Sequence, residues 1–305
     1  MNSNLHQQRI MDILWRRFVI VAPYLWLFIF FLAPFAIIFK ISFADPIVAQ
    51  PPFTPLFNFS VQADKWFYFT LDNYRFLLED NLYWISYLKS FKIAFISTCL
   101  CLLIGYPMAY AIARASPVWR NVLLFLIILP FWTSFLLRVY AWMGILSTHG
   151  VINNLLISIG FIDQPLKLLY TDFAVYVGIV YSYLPFMILP LFANLVKLDF
   201  DLNEAAADLG ATPLVIFRDI TLPLSMPGII AGSLLVFIPA LGEFVIPALL
   251  GGLDTLMIGR TLYDEFFSNR DWPLSSAVAT VLLLILVLPM MIFQHHQINE
   301  TDYQE

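Results

Sequence analysis

The sequence predicts an all-α protein that crosses a membrane several times, and three observations lead to this fold class. Hydrophobic residues make up 61% of the 305 residues and charged residues only 12%, which is more apolar surface than a soluble core buries. Aromatic residues are frequent, at 17%. Six nearly uncharged segments reach the roughly 20 residues that a helix needs to cross a bilayer core about 30 Å thick. We therefore expect six transmembrane helices.

The predicted segments follow one another with polar connections between them. They are Phe18 to Phe39, Ile93 to Ala113, Asn121 to Leu146, Phe173 to Val196, Leu222 to Leu250 and Leu274 to Phe293. The first lacks a small-residue cleavage site, so we expect a retained anchor and not a removed signal peptide. The chain then divides into an N-terminal tail with the first helix at 1–41, an outer loop at 42–87, the membrane core at 88–297 and a short tail at 298–305.

Lysine and arginine residues set the expected orientation. With both termini on the cytoplasmic side, the inner connections are denser in basic residues than the outer loops, as the positive-inside rule requires. The inner set is Arg9, Arg16, Arg17, Arg114, Arg120 and Arg218. The preference is modest, because Lys40, Lys89 and Lys92 lie at outer helix ends.

Two charged residues lie within predicted spans, Arg138 in the third and Glu243 in the fifth. A charge near the bilayer centre costs at least about 2.5 kcal/mol, so each one needs a partner, water or a ligand. Two interpretations stay open. Arg138 and Glu243 form a neutralised buried pair, or Glu243 and nearby aromatic rings receive a cationic substrate. The candidate rings are those of Trp132, Tyr140, Tyr181 and Tyr183.

Several kinds of active site are missing from the sequence. None of the twelve glycines is followed by lysine, so the chain has no phosphate-binding G-x-x-x-x-G-K-[ST] loop. It also lacks H-E-x-x-H and G-x-S-x-G motifs. Cys99 and Cys101 are placed on different helix faces, which argues against a disulfide or a zinc site. Scattered basic residues and a net charge of -5 do not indicate nucleic-acid binding. We expect no catalytic residues and no metal ligands.

The most informative polar connection is the segment EAAADLGATPLVIFRDITLP at 204–223. Asp201 and Glu204 have the spacing of a capping box, which predicts a short helix beginning there. Gly210 is suited to the left-handed conformation that ends a helix. Thr212 before Pro213 predicts the start of a second helix, so we expect a helix-turn-helix at the membrane surface.

Seven residues of this segment follow a known pattern. The letters EAA are separated by three residues from G, G by nine residues from I, and I by one residue from LP. They are Glu204, Ala205, Ala206, Gly210, Ile220, Leu222 and Pro223. The pattern resembles the EAA loop of ATP-binding-cassette (ABC) importer permeases, which docks into a separate cytoplasmic ATPase. The resemblance implies a coupling loop at 201–223 and these ATPase-coupling residues: Glu204, Ala205, Ala206, Gly210, Pro213 and Phe217. The alternative is an ordinary amphipathic loop lying on the bilayer.

Longer strings extend the resemblance over almost the whole chain. They are VAPYLWL at 21–27, LLIGYP at 102–107, ILPFWTSFLLRVYAWMGIL at 128–146, GEFVIPALLGG at 242–252 and NRDWP at 269–273. These strings are similar to putrescine-type polyamine importer permeases, with the spermidine-type sister subunits next. The resemblance implies a type I ABC importer (MetI-like) permease fold, with a five-helix core and a peripheral first helix.

The same resemblance implies the assembly and the location of the chain. We expect a heterodimer with a second homologous permease, two cytoplasmic ATPase subunits and a periplasmic polyamine-binding protein, in a bacterial inner membrane. ATP and Mg would be bound by the ATPase, so this chain needs no cofactor. Two alternatives remain. In the first, the ABC importer carries an amino acid, phosphate or sugar. In the second, the chain is a secondary transporter or channel that works without an ATPase.

Overall fold

The computed structural model describes residues 19–55, 69–199 and 201–302, and regular secondary structure in this part is almost entirely helical. This confirms the predicted all-α class. The basic residues Arg9, Arg16 and Arg17, on which part of the orientation argument depends, lie outside the described residues.

The helices are numbered here in chain order. They are α1 Val19–Ile41, α2 Asp72–Glu79, α3 Asn81–Arg114, α4 Pro117–Ile128, α5 Phe135–Leu146, α6 Val151–Ser158, α7 Asp172–Leu195, α8 Asp201–Asp208, α9 Pro213–Ile216, α10 Leu222–Leu241, α11 Val245–Leu250, α12 Ile258–Tyr263 and α13 Trp272–Asp302.

Five helical stretches in the described part are long and apolar enough to cross a bilayer. They are Val19–Ile41, Asn81–Arg114, Phe135–Ser158, Asp172–Leu195 and Pro213–Leu241. Two shorter apolar stretches are Pro117–Trp132 and Trp272–Val287. The predicted fourth span is confirmed as the uninterrupted helix α7, which contains Pro185 and Pro190.

The predicted second span, 93–113, is too short, because α3 already begins at Asn81. Its first turns contain polar residues and were left out of the predicted span. One face of these turns is packed inside the protein, since Ser86 and Ser90 are both 0% exposed, whereas Ile85 and Leu88 are 56% and 68% exposed. The Ile258 N–H donates to Ser90 Oγ at 2.7 Å. Because their hydroxyl groups have hydrogen-bond partners, these serines can be buried, and the helix begins before its apolar part.

The prediction of one continuous third span at 121–146 is wrong. The chain forms α4, the 3-10 turn Leu129–Trp132 and then α5. Thr133 and Ser134 between the turn and α5 are extended, with ψ angles of 152° and 136°. Pro130 lacks an N–H and cannot continue an α-helical ladder. The Thr133 hydroxyl donates to the Pro130 carbonyl at 2.7 Å and closes the turn.

The predicted fifth span at 222–250 is also divided, because α10 ends at Leu241 and α11 begins at Val245. Pro239 and Pro247 lie on either side of this break. The last helix, α13, begins at Trp272 and continues to Asp302, beyond the predicted end at Phe293.

The chain divides into two compact units, 81–261 and 1–80 with 262–305. In the first unit, α3, α7 and α10 pack against one another in pairs. Their buried core contains Cys101, Ala109, Ile188, Leu191, Leu195 and Val236, among others. In the second unit, α13 packs against α1 and α2. The Asn73 side chain there donates to the carbonyl oxygens of Ser42 at 3.0 Å and Ala44 at 2.8 Å.

Close contact between α7 and α10 depends on two glycines. A Cβ at Gly232 would lie 2.8 Å from Met187 Sδ and 3.0 Å from the Met187 carbonyl oxygen. At Gly228 it would lie 2.8 Å from Asn194 Cβ. These two small residues therefore allow α7 and α10 to pack closely.

Replacing Gly232 by Val will overpack the α7–α10 interface. Overpacking of a dense core costs about 1–3 kcal/mol, so we expect Gly232→Val to lower the midpoint of thermal unfolding in detergent. Gly144→Val in α5 is the control, because a Cβ there meets no atom within 4 Å. Equal midpoints for the two variants would contradict this account of the interface.

Candidate functional site

A cleft of about 500 Å³ lies within the unit 81–261. Its walls come from the region between α4 and α5, from α7 and from the break between α10 and α11. The lining residues are Phe131, Phe135, Arg138, Ser182, Tyr183, Phe186, Pro239, Gly242, Glu243, Phe244 and Val245. The cleft therefore combines aromatic walls with one acidic and one basic side chain.

Both breaks in the predicted spans border this cleft. Residues 133–134 follow Phe131, and residues 242–244 form part of the wall itself. In a bilayer, backbone without helical hydrogen bonds is tolerated only where protein or an aqueous cavity covers it. The two breaks therefore lie beside the cleft that contains Glu243 and Arg138.

The Glu243 carboxylate is held by three donors. Its Oε2 accepts from the Tyr183 hydroxyl of α7 at 2.5 Å. Its Oε1 accepts from the N–H groups of Val245 at 2.9 Å and Ile246 at 3.3 Å. The side chain thereby caps α11, whose first N–H groups have no partner within the helix. Glu243 is 8% exposed, so these bonds replace most of its hydration.

Arg138 reaches the same cleft without pairing with Glu243. No ion pair within 4.0 Å joins the two among the described residues. The guanidinium carbon instead lies 4.9 Å from the Phe131 ring centre and 5.7 Å from that of Phe135. Its Nε is buried and has no hydrogen-bond partner in the described structure. The interpretation of a directly paired couple does not hold in this structure.

The sequence analysis named six residues for the substrate site or the buried charge pair. The structure brings three of them together in the cleft, namely Glu243, Tyr183 and Arg138. The other three do not line the cleft. Trp132 is 73% exposed and Tyr140 is 53% exposed. The Tyr181 ring stacks edge-on against Trp142 at 5.4 Å.

Sequence reasoning missed four aromatic residues of the cleft, Phe131, Phe135, Phe186 and Phe244. The Phe131 and Phe186 rings meet edge to face at 5.4 Å. The signal that would have found Phe131 and Phe135 is their position after Pro130, on either side of the polar pair Thr133 and Ser134. A proline with two hydroxyl residues in an apolar run indicates a helix break.

The EAA loop forms the expected helix-turn-helix, α8 followed by α9. Gly210 has a φ of +85°. The Ala211 N–H donates to the Ala206 carbonyl at 3.0 Å and the Gly210 N–H to the Ala207 carbonyl at 2.9 Å. This pair of bonds is a Schellman motif, and it confirms the predicted turn. Thr212 is the N-cap of α9, with Pro213 at its first position.

The predicted capping box is wrong in detail. Asp201 is the first residue of α8 and not its cap. The Asp201 N–H donates to the Asp199 carboxylate at 3.1 Å, so the acidic side chain two positions earlier binds the free N–H. Glu204 is exposed on the loop surface. The exposed carboxylate of Glu204 is therefore available to a partner.

The EAA loop presents apolar side chains outward and is fixed to the bundle from within. Large exposed side chains on it are Leu202, Leu209, Leu214, Val215 and Phe217. The Phe217 ring also meets the Tyr106 ring of α3 edge to face at 5.6 Å. The Tyr106 hydroxyl lies 2.9 Å from Ser225 Oγ on α10. A movement of the loop would thus act on α3 and α10 together.

Apolar spanning helices, a charged internal cleft and an exposed helical loop define a multi-pass membrane transport subunit. The chain belongs to the family of inner membrane components of binding-protein-dependent transport systems, whose profile matches residues 102–300. This confirms the family resemblance based on the EAA loop. The chain is a transport subunit and not an enzyme.

Named relatives agree with this assignment. The chain is 45% identical over 225 residues to the spermidine/putrescine transport system permease protein PotB of Escherichia coli, covering 74% of this chain and 82% of the relative. PotB of Haemophilus influenzae is 44% identical over 231 residues, covering 76% and 80%.

A solved structure shows the same fold. A bacterial ABC transporter involved in the import of the acidic polysaccharide alginate matches with a TM-score of 0.62 at 19% identity, covering 94% of this chain and 99% of that chain. The predicted ABC importer permease fold is confirmed.

Removing the Tyr183 hydroxyl will leave one oxygen of the buried Glu243 carboxylate without its donor. An unsatisfied buried group costs about 1–3 kcal/mol, so we expect Tyr183→Phe to unfold at a lower temperature in detergent. Tyr181→Phe removes the same atom outside the cleft and is the matched control. If both variants unfold at the same temperature, the Tyr183–Glu243 bond does not stabilise the site.

Proposed function

We propose that this chain is the permease subunit of an ATP-driven importer that carries polyamines across the bacterial inner membrane. We further propose putrescine as its main cargo, with spermidine accepted as well. The names of relatives at 45% identity support the polyamine class. The observation that carries the proposal in this chain is the Glu243 carboxylate, 8% exposed, in a cleft with aromatic walls.

Glu243 retains the capacity to bind an ammonium group. A carboxylate offers about four lone-pair positions. Oε1 receives two N–H donors and Oε2 receives one hydroxyl. Among the described residues, one acceptor position on Oε2 is therefore left for a cargo N–H. The three donors are electrically neutral, and none of them is a counter-charge. An amine that leaves water for the cleft would gain the carboxylate as a partner, which supports a cationic cargo.

The aromatic walls support the same cargo class. A cation over an aromatic ring gains about 0.5–2 kcal/mol. Tyr183, Phe186 and Phe244 line the cleft beside Glu243. Trp132 and Tyr140 are exposed in this chain, so in our proposal they contribute only where a second permease completes the path.

The proposed assembly contains this chain, a second homologous permease, two cytoplasmic ATPase subunits and a periplasmic polyamine-binding protein. ATP and Mg bind to the ATPase. Both termini lie in the cytoplasm, which places the EAA loop opposite the ATPase. The exposed apolar surface around Leu209 and Leu214, 90% and 76% exposed, supports a protein partner at this loop. Cleft access would alternate between the two sides of the membrane as the ATPase binds and hydrolyses ATP.

One observation favours a second cargo class. Arg138 lines the same cleft as Glu243, and its Nε has no partner in the described residues. A guanidinium and a carboxylate together would suit an amino acid, which carries both charges. A polyamine would instead have to avoid the Arg138 side of the cleft, where Phe131 and Phe135 cover the guanidinium.

Glu243→Gln tests the cargo site. Glutamine keeps an oxygen that can accept from the Val245 and Ile246 N–H groups, so we expect normal folding. Loss of the charge removes a charged hydrogen bond worth about 1.5–3 kcal/mol, so uptake should fall about tenfold or more. The measurement is the initial rate of labelled putrescine uptake per assembled complex, with spermidine and lysine as competitors.

The control is Glu265→Gln, which changes a 9% exposed carboxylate outside the cleft. Unchanged uptake in Glu243→Gln at normal membrane levels would remove the site. Stronger competition by lysine than by spermidine would favour the amino-acid alternative.

Charge reversal at Glu204 tests the ATPase proposal. Glu204 is exposed on α8, and a lysine there would repel a basic partner surface without disturbing the helix core. We expect the ATPase to co-purify with the wild type and to be lost, or reduced at least about tenfold, in Glu204→Lys.

Asp163→Lys, an exposed change in the predicted outer loop, should leave co-purification intact. Uptake that persists in membranes without any ATPase would instead identify a secondary transporter or a channel.

A further inference from the structure

Residues 258–261 press directly against the helix break that carries Glu243. A Cβ at Gly259 would meet the Gly242 carbonyl oxygen and would lie 2.7 Å from the Glu243 carbonyl oxygen. Cβ atoms in proteins do not approach other atoms closer than 3.0 Å. Since both contacts are with backbone, no side-chain rotation relieves them. Only glycine fits at position 259 while the break keeps its present position.

The same four residues are anchored to α3. The Ile258 N–H donates to Ser90 Oγ at 2.7 Å, and Thr261 Oγ1 lies 3.3 Å from Ser86 Oγ. Ile258 is 0% and Thr261 is 6% exposed. On the other side, Arg260 Nη1 donates to the Pro247 carbonyl of α11 at 3.4 Å. Residues 258–261 thus connect α3 to both ends of the break.

The chain leading into these residues is tied down as well. Thr255 Oγ1 donates to Asp172 Oδ1 at 2.6 Å, at the start of α7. Lys89 Nζ of α3 lies 3.5 Å from the same carboxylate oxygen and donates to the Asp254 carbonyl. These bonds limit how far residues 258–261 can move away from the break.

We propose that residues 258–261 form a buttress that fixes the position of the Glu243 carboxylate, and that Gly259 is a positioning residue for cargo binding. The inference rests on the proposed function, because it assigns the buttress to the proposed cargo site. A side chain at 259 pushes on the carbonyl groups of Gly242 and Glu243. This displaces the backbone that holds the Glu243 carboxylate at hydrogen-bond distance from Tyr183, 2.5 Å away on α7.

Gly259→Ala is the test, with Gly144→Ala as the matched control, since a Cβ at Gly144 meets nothing within 4 Å. The complete complex is reconstituted in lipid vesicles, and putrescine uptake and ATP hydrolysis are measured on the same preparation. We expect Gly259→Ala to lower uptake about three- to tenfold. This fold-change lies within the range of interaction energies measured between residues in contact. ATP hydrolysis per complex stays near the wild-type rate. A purely structural defect would lower the amount of complex and both rates together.

The decisive variant is the double change, Gly259→Ala with Glu243→Gln. If the buttress acts through the Glu243 charge, Gly259→Ala causes no further fall in uptake once that charge is absent. If the two substitutions instead lower uptake independently, so that their fold-changes multiply, the inference is overturned while the proposed cargo site still stands. If Glu243→Gln alone leaves uptake unchanged, the proposed site fails, and with it the role of Gly259. Wild-type uptake in Gly259→Ala would also overturn the inference.

Discussion

The arrangement of this protein depends on how the backbone is satisfied at residues 242–244. The chain leaves the α-helical ladder there, between α10 and α11, in a part of the molecule that is otherwise apolar. Unpaired N–H groups in such surroundings cost several kcal/mol each, on the order of the stability of a whole domain when several occur. The Glu243 side chain accepts from the N–H groups of Val245 and Ile246, where α11 begins after the break. One carboxylate therefore allows the break to exist and places a negative charge in the cleft.

This break lies at one end of a single helix whose other end is the EAA loop. α10 has 20 residues, which corresponds to about 30 Å at 1.5 Å per residue. The Asn203 side chain of α8 donates to Thr221 Oγ1 at 3.3 Å, just before α10 begins. The Tyr106–Ser225 contact links the same end to α3. Under the proposed function, force applied to the loop has a continuous physical route to the cleft, and α10 provides it.

The sequence was most reliable where one residue determines one backbone feature. Gly210 predicted a left-handed turn, because glycine adopts that conformation at the least cost, and its φ of +85° agrees. It was least reliable at span boundaries. Hydropathy merged α4 with α5, since the two polar residues of the break at 133–134 are flanked by aromatic residues and the whole segment 121–146 is apolar on average. It also cut α3 short, since Ser86 and Ser90 are buried by partners that lie far away in sequence. The contact of Gly259 with residues 242–243 is closer in sequence, but hydropathy does not reveal it either.

The hydrogen bonds that the Glu243 carboxylate accepts also explain why it needs no ion pair with Arg138. A direct ion pair would meet the desolvation cost of both groups, but it would cancel the charge that a cationic cargo needs. A hydroxyl and two backbone N–H groups meet the hydrogen-bond requirement of the carboxylate with no opposing unit charge. Arg138 lies on the ring faces of Phe131 and Phe135 instead. Holding a carboxylate and a guanidinium in one cleft without a direct pair is costly for folding. Under the proposed function this cost has a physical reason, because it leaves the Glu243 carboxylate open to a cationic cargo.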